Sequence, residues 1–166
     1  MWSFSPTLAL PSRRLALPRP VVQLRVQDAH EAARFQVPAR DGSLWAGRSR
    51  GGVDISIRGQ FGRSGDGLTL TEPAMLDAID AVRSALRLAD PEAVYGLGLF
   101  VFVDPDDPAA PSPPLRGFMQ CSTVRFEYDL SDRAMYGYSL MVHASDPDLH
   151  VGDLIDIRPE APRQPT

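Results

Sequence analysis

Histidine, cysteine and aspartate are the residues of this sequence that could hold a metal or catalyse a reaction. The three histidines, His30, His143 and His150, lie in different predicted elements, and none has the paired spacing of two histidines one helical turn apart that metal sites use. Each is therefore interpreted as a surface or strand-edge residue. The single cysteine, Cys121, has no partner for a disulfide, so we expect a buried, unreactive thiol.

Two acidic groups resemble cation sites. The first lies in the loop 104–107, which is flanked by prolines and lacks the glycine and glutamate that a calcium loop needs. The second gathers Asp146, Asp148 and Asp153 near His150, but an Asp-Pro pair also ends strands without any metal. Solvated loops explain both groups, so we predict no metal and no cofactor.

Phosphate binding and nucleophilic catalysis have little support in the sequence. The segment Gly47–Gly52 has glycines whose amides could meet a phosphate, but it lacks the lysine and the helix start of a phosphate-binding loop. It also resembles a short RNA-binding box, yet the formal net charge of −4 gives no general attraction to nucleic acid. Neither Cys121 nor Ser122 lies in a nucleophile-elbow pattern. We therefore predict that the protein is not an enzyme and binds no specific nucleic acid.

The composition is that of one folded domain. The chain has 166 residues, of which 43% are hydrophobic and 23% charged, far from the range of disordered proteins. Its longest apolar stretch, Leu97–Val103, is much shorter than the roughly 20 residues that cross a bilayer. Residues 1–6 lack the basic start of a signal peptide. We expect no membrane partner.

Alternating apolar and polar residues predict a set of strands. The last two form an antiparallel hairpin, because the short turn 131–134 joins them. The strand 94–103 is apolar on both faces near its end and is expected in the middle of the fold. The predicted strands are Val21–Val26, Val53–Gly59, Val94–Val103, Phe118–Leu130 and Met135–Ala144, with a short extended piece at Phe35–Val37.

One helix is predicted over Glu72–Leu88. Thr71 is its candidate N-cap, and Pro73 is tolerated in the first turn. Its apolar residues recur at helical spacing and form one stripe, which must lie on the sheet: Met75, Ile79, Val82 and Leu86.

Proline and glycine mark the irregular segments. Residues 1–20 contain four prolines, which predict an extended arm outside the strand ladders, docked on its own domain or on a neighbour. The glycine-rich segments Asp41–Gly52 and Gly62–Gly67 are predicted turns, and Asp104–Pro114 is an exposed proline loop.

The fold class predicted from this order is α+β, mainly β: an antiparallel β-sandwich or barrel-like domain with one flanking helix. The arm 1–20, the domain 21–150 and a C-terminal extension 151–166 complete the predicted organisation.

The order of these parts resembles that of phage distal tail proteins. The resemblance starts with an extended segment and an Asp-Gly turn in Phe35–Gly42, followed by a glycine/arginine loop and the alternating strand Val53–Gly59. It continues through the helix, a strand ending in Asp, and the hairpin strands 124–128 and 136–142, which close on Asp146-Pro147. It covers residues 21–150 and depends on the order of parts, not on one motif.

This resemblance implies a structural virion protein of a bacteriophage tail, made in the host cytoplasm. Such proteins form a hexameric ring that continues the tail tube and joins it to the tail tip or baseplate machinery. The implied partners are further copies of the chain, the tail tube and the hub or baseplate proteins. Members often add a carbohydrate-binding-like domain, for which this chain is too short. Tail tube and tail terminator proteins share a related plan and remain alternatives.

Ring formation would place the arm 1–20 and the hairpin 124–142 in subunit contacts, because strand edges and apolar arms offer unpaired groups to neighbours. The candidate interface residues are Trp2, Phe4, Leu8, Leu10, Trp45, Arg48, Arg50, Tyr128, Tyr136 and Tyr138. The rival interpretation is a small ligand- or carbohydrate-binding β-sandwich, with Trp2, Trp45 and Tyr95 as its candidate aromatic residues.

Overall fold

The computed structural model describes residues 1–36, 43–63, 69–87 and 95–155, with side chains undescribed over 31–50 and at residue 63. It contains eight strands and one helix within these ranges. In chain order they are β1 (Trp2–Ala9), β2 (Arg14–Ala16), β3 (Arg19–Gln36), β4 (Ser43–Arg63), α1 (Glu72–Arg87), β5 (Tyr95–Phe102), β6 (Leu115–Asp129), β7 (Gly137–Ala144) and β8 (His150–Gly152). No described helix is both long enough and apolar enough to cross a membrane.

All the strands belong to one sheet, and every pair of neighbours is antiparallel. The order across the sheet is β2-β1-β5-β6-β7-β4-β3, with β8 paired to the start of β6. The predicted class, mainly β with a single helix, is confirmed. The strand β5 lies inside the sheet, as its apolar faces predicted.

The sheet is rolled into a barrel-like shape. Its two border strands, β2 and β3, are consecutive in the chain, and only residues 17 and 18 separate them. The two borders must therefore approach each other at this connection. The amide of Leu17 donates to the carbonyl of Pro6 at 2.8 Å, and the guanidinium of Arg19 donates to Ser5 Oγ at 3.0 Å. These bonds join the start of β3 to β1 across the closure.

The core lies inside this roll, and Tyr138 links its two sides. The ring packs 5.0 Å from that of Phe61, and its hydroxyl donates to the carbonyl of Pro18 at 2.9 Å. Burial raises the pKa of Tyr138 well above its usual value, so the hydroxyl stays protonated and remains a donor. Gly59 makes room for the ring, because a Cβ there would lie 2.6 Å from it.

Removing this hydroxyl is expected to weaken the closure. In Tyr138→Phe the ring stays and the Pro18 carbonyl loses its buried donor, which costs about 1–3 kcal/mol of unfolding free energy. Urea denaturation of the dilute protein measures this cost. The control is Tyr128→Phe, whose side chain is exposed, and a similar loss in both variants would contradict the role of Tyr138.

The helix packs on the sheet as its stripe predicts. Met75, Ile79, Val82 and Ala85 are buried in the main core, and Leu86 is packed against it. The amide of Met75 donates to the carbonyl of Thr71 at 2.8 Å, which places Thr71 at the N-terminal boundary. The helix therefore begins as predicted, and its end is described as far as Arg87.

The prediction that residues 1–20 stay outside the strand ladders is wrong. Trp2–Ala9 pairs with β5, and Arg14–Ala16 pairs with β1. Pro6 lies where the β1–β5 register shifts between Phe4 and Thr7, a position at which a strand tolerates the missing donor. This segment was expected to dock on its own domain or on a neighbouring chain, and in the structure it pairs with strands of its own domain.

The prediction of a turn at Asp41–Gly52 is also wrong for residues 43–52, the part of this segment that the structure describes. Residues 43–52 continue β4 without interruption and pair with β3 as far as Ser43 with Gln36. Cross-strand pairing here overrides the local preference of glycine for turns. Residues 41–42 and most of the predicted turn 62–67 lie outside the described residues. The predicted strands 21–26 and 35–37 are parts of the single strand β3, although residue 37 is not described.

The predicted hairpin is confirmed. Strands β6 and β7 pair from Cys121 with Ala144 to Asp129 with Gly137. Strand β6 starts at Leu115, three residues earlier than predicted, since Leu115 pairs with both β5 and β8. At the C-terminal side, β8 and the buried Leu154 belong to the domain itself.

Candidate assembly interface

Several titratable side chains of the described residues form local pairs. His143 Nδ1 lies 2.8 Å from Asp54, and His150 Nε2 lies 2.8 Å from Asp146. Asp153 forms an ion pair with Arg14 at 2.7 Å. Within the described ranges, no group of three or more metal-ligating side chains is found.

Asp146 stabilises a short turn. Its carboxylate accepts the amide of Asp148 at 3.0 Å, and this bond, with the nearby His150, holds the pKa of Asp146 below its usual value. In the same way, Asp104 accepts the amide of Asp106 at 2.9 Å. Both acidic segments singled out in the sequence thus contain a carboxylate that closes a short turn.

Cys121 is a core residue. It is fully buried, and burial raises the pKa of its thiol to about 12. A thiol in this state is a poor nucleophile at neutral pH. The sequence prediction of a buried cysteine is confirmed.

Four of the predicted interface residues lie in the core of their own chain. Leu8 and Leu10 are buried beside the central strands, and Tyr136 and Tyr138 are buried at the hairpin. The hydroxyl of Tyr136 donates to the carboxylate of Glu72 at 2.9 Å, which ties the hairpin to the start of the helix. Intramolecular packing alone accounts for these four positions.

The other predicted interface residues lie on the surface or on an extended hairpin. Trp2, Phe4 and Tyr128 are partly exposed, and the guanidinium of Arg83 lies 5.7 Å from the centre of the Tyr128 ring. Trp45, Arg48 and Arg50 are in β4, at backbone positions opposite residues 34, 32 and 30 of β3. Surface position makes Trp2, Phe4 and Tyr128 available to a neighbouring chain.

Trp2 and Phe4 belong to a larger aromatic patch, which we define as Trp2, Phe4, Phe100 and Phe102. Trp2 pairs with Phe102 across the two strands, and Phe4 pairs with Phe100. Their rings meet edge to face, with centroids 5.4 Å and 5.8 Å apart respectively. Sequence reasoning missed Phe100 and Phe102, because it assigned the whole of their strand to the interior. The matching i, i+2 spacing of the two aromatic pairs was the available signal.

The far half of the β3–β4 hairpin extends beyond the rest of the sheet. Strand β7 pairs with β4 only from Val53 to Gln60, whereas β3 pairs with β4 all the way to Ser43. We call residues 30–36 and 43–50 the ribbon. Just outside the ribbon, where it leaves the main sheet, β4 has Gly52, whose φ of +102° favours glycine, and β3 has a register shift between Asp28 and His30. Within the described residues the ribbon pairs only with itself.

Two further stretches of strand offer unpaired backbone groups. Strand β3 is the last strand of the sheet order, so no described strand pairs with its outer side. Strand β6 pairs with β5 only as far as Cys121, so residues 122–129 are open on that side within the described ranges. Such borders are templates for pairing with another chain.

A depression with a volume of about 680 Å³ lies on the hairpin strands and the neighbouring parts of β3 and β4. Its lining mixes apolar, amide and charged groups, including Val22, Arg58, Gln60, Glu127 and Tyr128. Tyr95, an aromatic residue proposed for sugar binding, is buried and bonds to Thr123 at 2.8 Å instead of lining a site.

Comparison with solved structures shows that the fold is a known one. No protein-family model and no curated protein matches the sequence. The structure resembles the Dit protein of phage SPP1, described as a paradigm of the hub adsorption apparatus in phages infecting Gram-positive bacteria, with a TM-score of 0.56 and 16% identity over 87% of this chain. This likeness establishes the fold. The chain spans 51% of the length of that protein.

A second solved structure supports the same fold. A chain from the virion of a native gene transfer agent particle matches with a TM-score of 0.50 and 12% identity, covering 88% of this chain and 94% of that one. The single-domain plan described here therefore occurs both as part of a longer protein and as nearly the whole of another. The fold expected from the resemblance to phage distal tail proteins is confirmed.

Proposed function

We propose that this chain is a structural subunit of a bacteriophage tail, which assembles into a ring at the distal end of the tail tube and links the tube to the tail tip or baseplate. The ring is hexameric, and the protein acts by assembly without catalysing a reaction. In this proposal its location is the virion tail.

The observation that carries the proposal is the shared fold. The two resembling structures come from a hub adsorption apparatus and a virion particle, and their likeness extends over 87% and 88% of this chain. Fold likeness supports a structural role only by analogy, so physical features of the chain must support it independently.

The open strand borders and the ribbon supply that support. A two-stranded ribbon is marginally stable by itself in water, and unpaired borders tend to join other strands. Both features are disadvantages for an isolated monomer. When neighbouring copies meet, the unpaired backbone groups of the borders find partners and the ribbon gains contacts. Contacts between different surfaces of identical chains close into a ring when the rotation from one copy to the next divides a full turn, and a ring is the symmetry that a tail tube requires.

The proposal is tested by electron microscopy and native mass spectrometry of the purified full-length chain over a range of concentrations. We expect closed rings of six copies. If the chain stays monomeric at the highest concentration, alone and when mixed with the tail proteins encoded beside its gene, the proposal is wrong. Stacked tubes without a tip-binding activity would instead identify a tail tube protein.

A further inference from the structure

The outer face of β7 is the floor of a groove. Successive residues of a strand point to opposite sides of the sheet, and Tyr138 and Leu140 point into the core. Gly137 and Ser139 therefore lie on the outer face, the first without a side chain and the second with a short one. A Cβ at Gly137 would have the Gly59 carbonyl oxygen as its nearest neighbour, at 3.8 Å, so the space above the strand is open there.

Longer side chains of the two adjacent strands form the walls of this groove. Arg58 and Gln60 of β4 pair with Ser139 and Gly137, and Glu127 of β6 pairs with Ser139 from the other side. The depression of about 680 Å³ is lined by these residues. A second depression, of about 250 Å³, shares Arg58, Glu127 and Ser139 with it. The two depressions therefore form one continuous groove along β7.

The groove has the dimensions of one extended chain. Its walls are on β4 and β6, the two neighbours of β7, so their backbones are roughly 10 Å apart. Its floor extends along β7 from Gly137 to Met141, or about 14 Å for an antiparallel strand. An extended peptide segment of about four residues matches this width and length.

The end of the groove at Met141 is basic. Arg25, Arg58 and Arg125 line this end from three different strands, and all three are exposed. Arg125 forms an ion pair with Glu127 at 3.3 Å. No carboxylate of the described residues forms an ion pair with Arg25 or Arg58. Two positive charges at this end are therefore available to a ligand.

These two arginines are placed to act together. Arg25 pairs with Ser56, and Arg58 pairs with Gln23, so Arg25 and Arg58 are diagonal neighbours on adjacent strands, roughly 7–8 Å apart. A guanidinium binds a carboxylate through two parallel hydrogen bonds. A carboxylate between the two arginines would be within reach of both, and the hydroxyl of Ser56 lies beside it as a further donor.

The opposite wall selects a peptide over a nucleic acid. Glu127 and Asp129 line the β6 side of the groove. Hydrogen bonds from the hydroxyl and the amide of Ser131 hold the pKa of Asp129 below its usual value, so this carboxylate is ionised at neutral pH. A nucleic-acid strand has a negative charge on every residue and would meet these carboxylates. A peptide avoids this repulsion, because its acidic side chains can lie at the basic end alone while its amides donate to the acidic wall.

We propose that this groove binds an extended segment of a different protein, with an acidic side chain of that segment held by Arg25 and Arg58. The segment lies along the outer face of β7, and its carboxylate occupies the basic end. The inference goes beyond the proposed ring, because one copy of the chain contains the whole groove.

Fluorescence anisotropy of a labelled peptide tests the proposal with the full-length chain. The probe is a hexapeptide that alternates threonine and aspartate, since the alternation of an extended strand turns all its carboxylates to one side. The matched control peptide has asparagine in place of aspartate. We expect the aspartate peptide to bind at least about tenfold more tightly, because hydrogen bonds to charged groups are the stronger ones. Equal binding of the two peptides, or no binding of either at millimolar protein, would overturn the inference.

Two substitutions test the floor and the charge separately. Gly137→Val fills the groove at the position where the structure has open space, and Arg58→Gln removes one of the two available charges. Each is expected to weaken binding of the aspartate peptide by at least about tenfold. The control is Arg87→Gln in the last turn of α1, outside the groove, which should leave the affinity unchanged. Urea denaturation checks that each variant is folded, and Arg58→Gln keeps the test decisive if Gly137→Val is not. Wild-type affinity in Arg58→Gln would contradict the proposal.

Other occupants of the groove give different results. Competition with the bound peptide by inorganic phosphate or by a thymidine hexanucleotide, at concentrations equal to that of the peptide, would overturn the choice of a peptide ligand. Loss of self-association in native mass spectrometry of Arg58→Gln would identify a second copy as the occupant, against the proposal. A chain that binds the peptide and never forms rings would overturn the proposed function and leave this inference intact.

Discussion

Leu8→Ala is expected to destabilise the isolated monomer by about 2–5 kcal/mol, the usual cost of removing a buried leucine side chain. Leu8 is 0% exposed and lies within the main core, opposite Leu97 of β5. The cavity would lie between β1 and the central strand, where the paired backbones limit collapse. Equilibrium denaturation in urea, at a concentration below that of any assembly, measures the loss.

Leu76→Ala is the matched control. It makes the same chemical change on the outer face of α1, where Leu76 is 43% exposed and alanine is an excellent helix former. We expect its unfolding free energy to stay within about 0.5 kcal/mol of the wild-type value. If instead Leu8→Ala left the monomer unchanged and weakened only self-association, Leu8 would lie in a subunit contact, as the sequence interpretation had it.

The two outcomes for Leu8 distinguish two structures that an apolar N-terminal segment can adopt. The sequence shows apolar residues between prolines, which is equally typical of an arm that docks on a neighbour and of a border strand of the same domain. Pairing with β5 determines which one forms, and the partner lies some ninety residues further along the chain. Periodicity within a short window contains no information about such a distant partner.

The elements predicted correctly are those whose evidence is local. The helix combines a 3.6-residue apolar stripe with a capping position at Thr71, and both features fall within one stretch of sequence. The β6–β7 hairpin combines clear alternation with a short turn, in which the amide of Met135 donates to the carbonyl of Asp132 at 3.1 Å. In each case local preference and tertiary structure agree.

The glycine-rich half of β4 shows where local evidence fails. Glycines at 47, 51 and 52 predict a turn, yet the chain stays extended because β3 offers a partner along its whole length. Gly52 uses the conformational freedom of glycine, with a positive φ where β4 leaves the main sheet. The sequence interpretation named Trp45, Arg48 and Arg50 of this segment as interface candidates, but it predicted a turn where the structure has a continuous strand.

A second large effect is expected from Gly117→Ala in β6. A Cβ at this position would meet the Leu97 carbonyl and lie 2.7 Å from the Cα of Gly98, a separation too short for two carbon atoms. The obstacle is backbone on the neighbouring strand, so no side chain can rotate away to make room. Strand β5 must move, and with it the buried Leu97 and Leu99. The expected loss of unfolding free energy is roughly 1–3 kcal/mol. It should lie near the upper limit because the strain acts on the hydrogen-bonded β5–β6 strand pair.

Gly137→Ala tests whether this cost comes from the close approach or from glycine in general. Gly137 also lies in a central region of the sheet, but the nearest atom to its Cβ would be the carbonyl oxygen of Gly59 at 3.8 Å, an ordinary contact. Alanine should fit there, and the smaller entropy of its unfolded chain should stabilise the protein by about 0.4–1 kcal/mol. The two substitutions therefore have opposite expected signs in thermal or urea denaturation. Equal losses would mean that the two strands are not packed at the distance observed between Gly98 and Gly117.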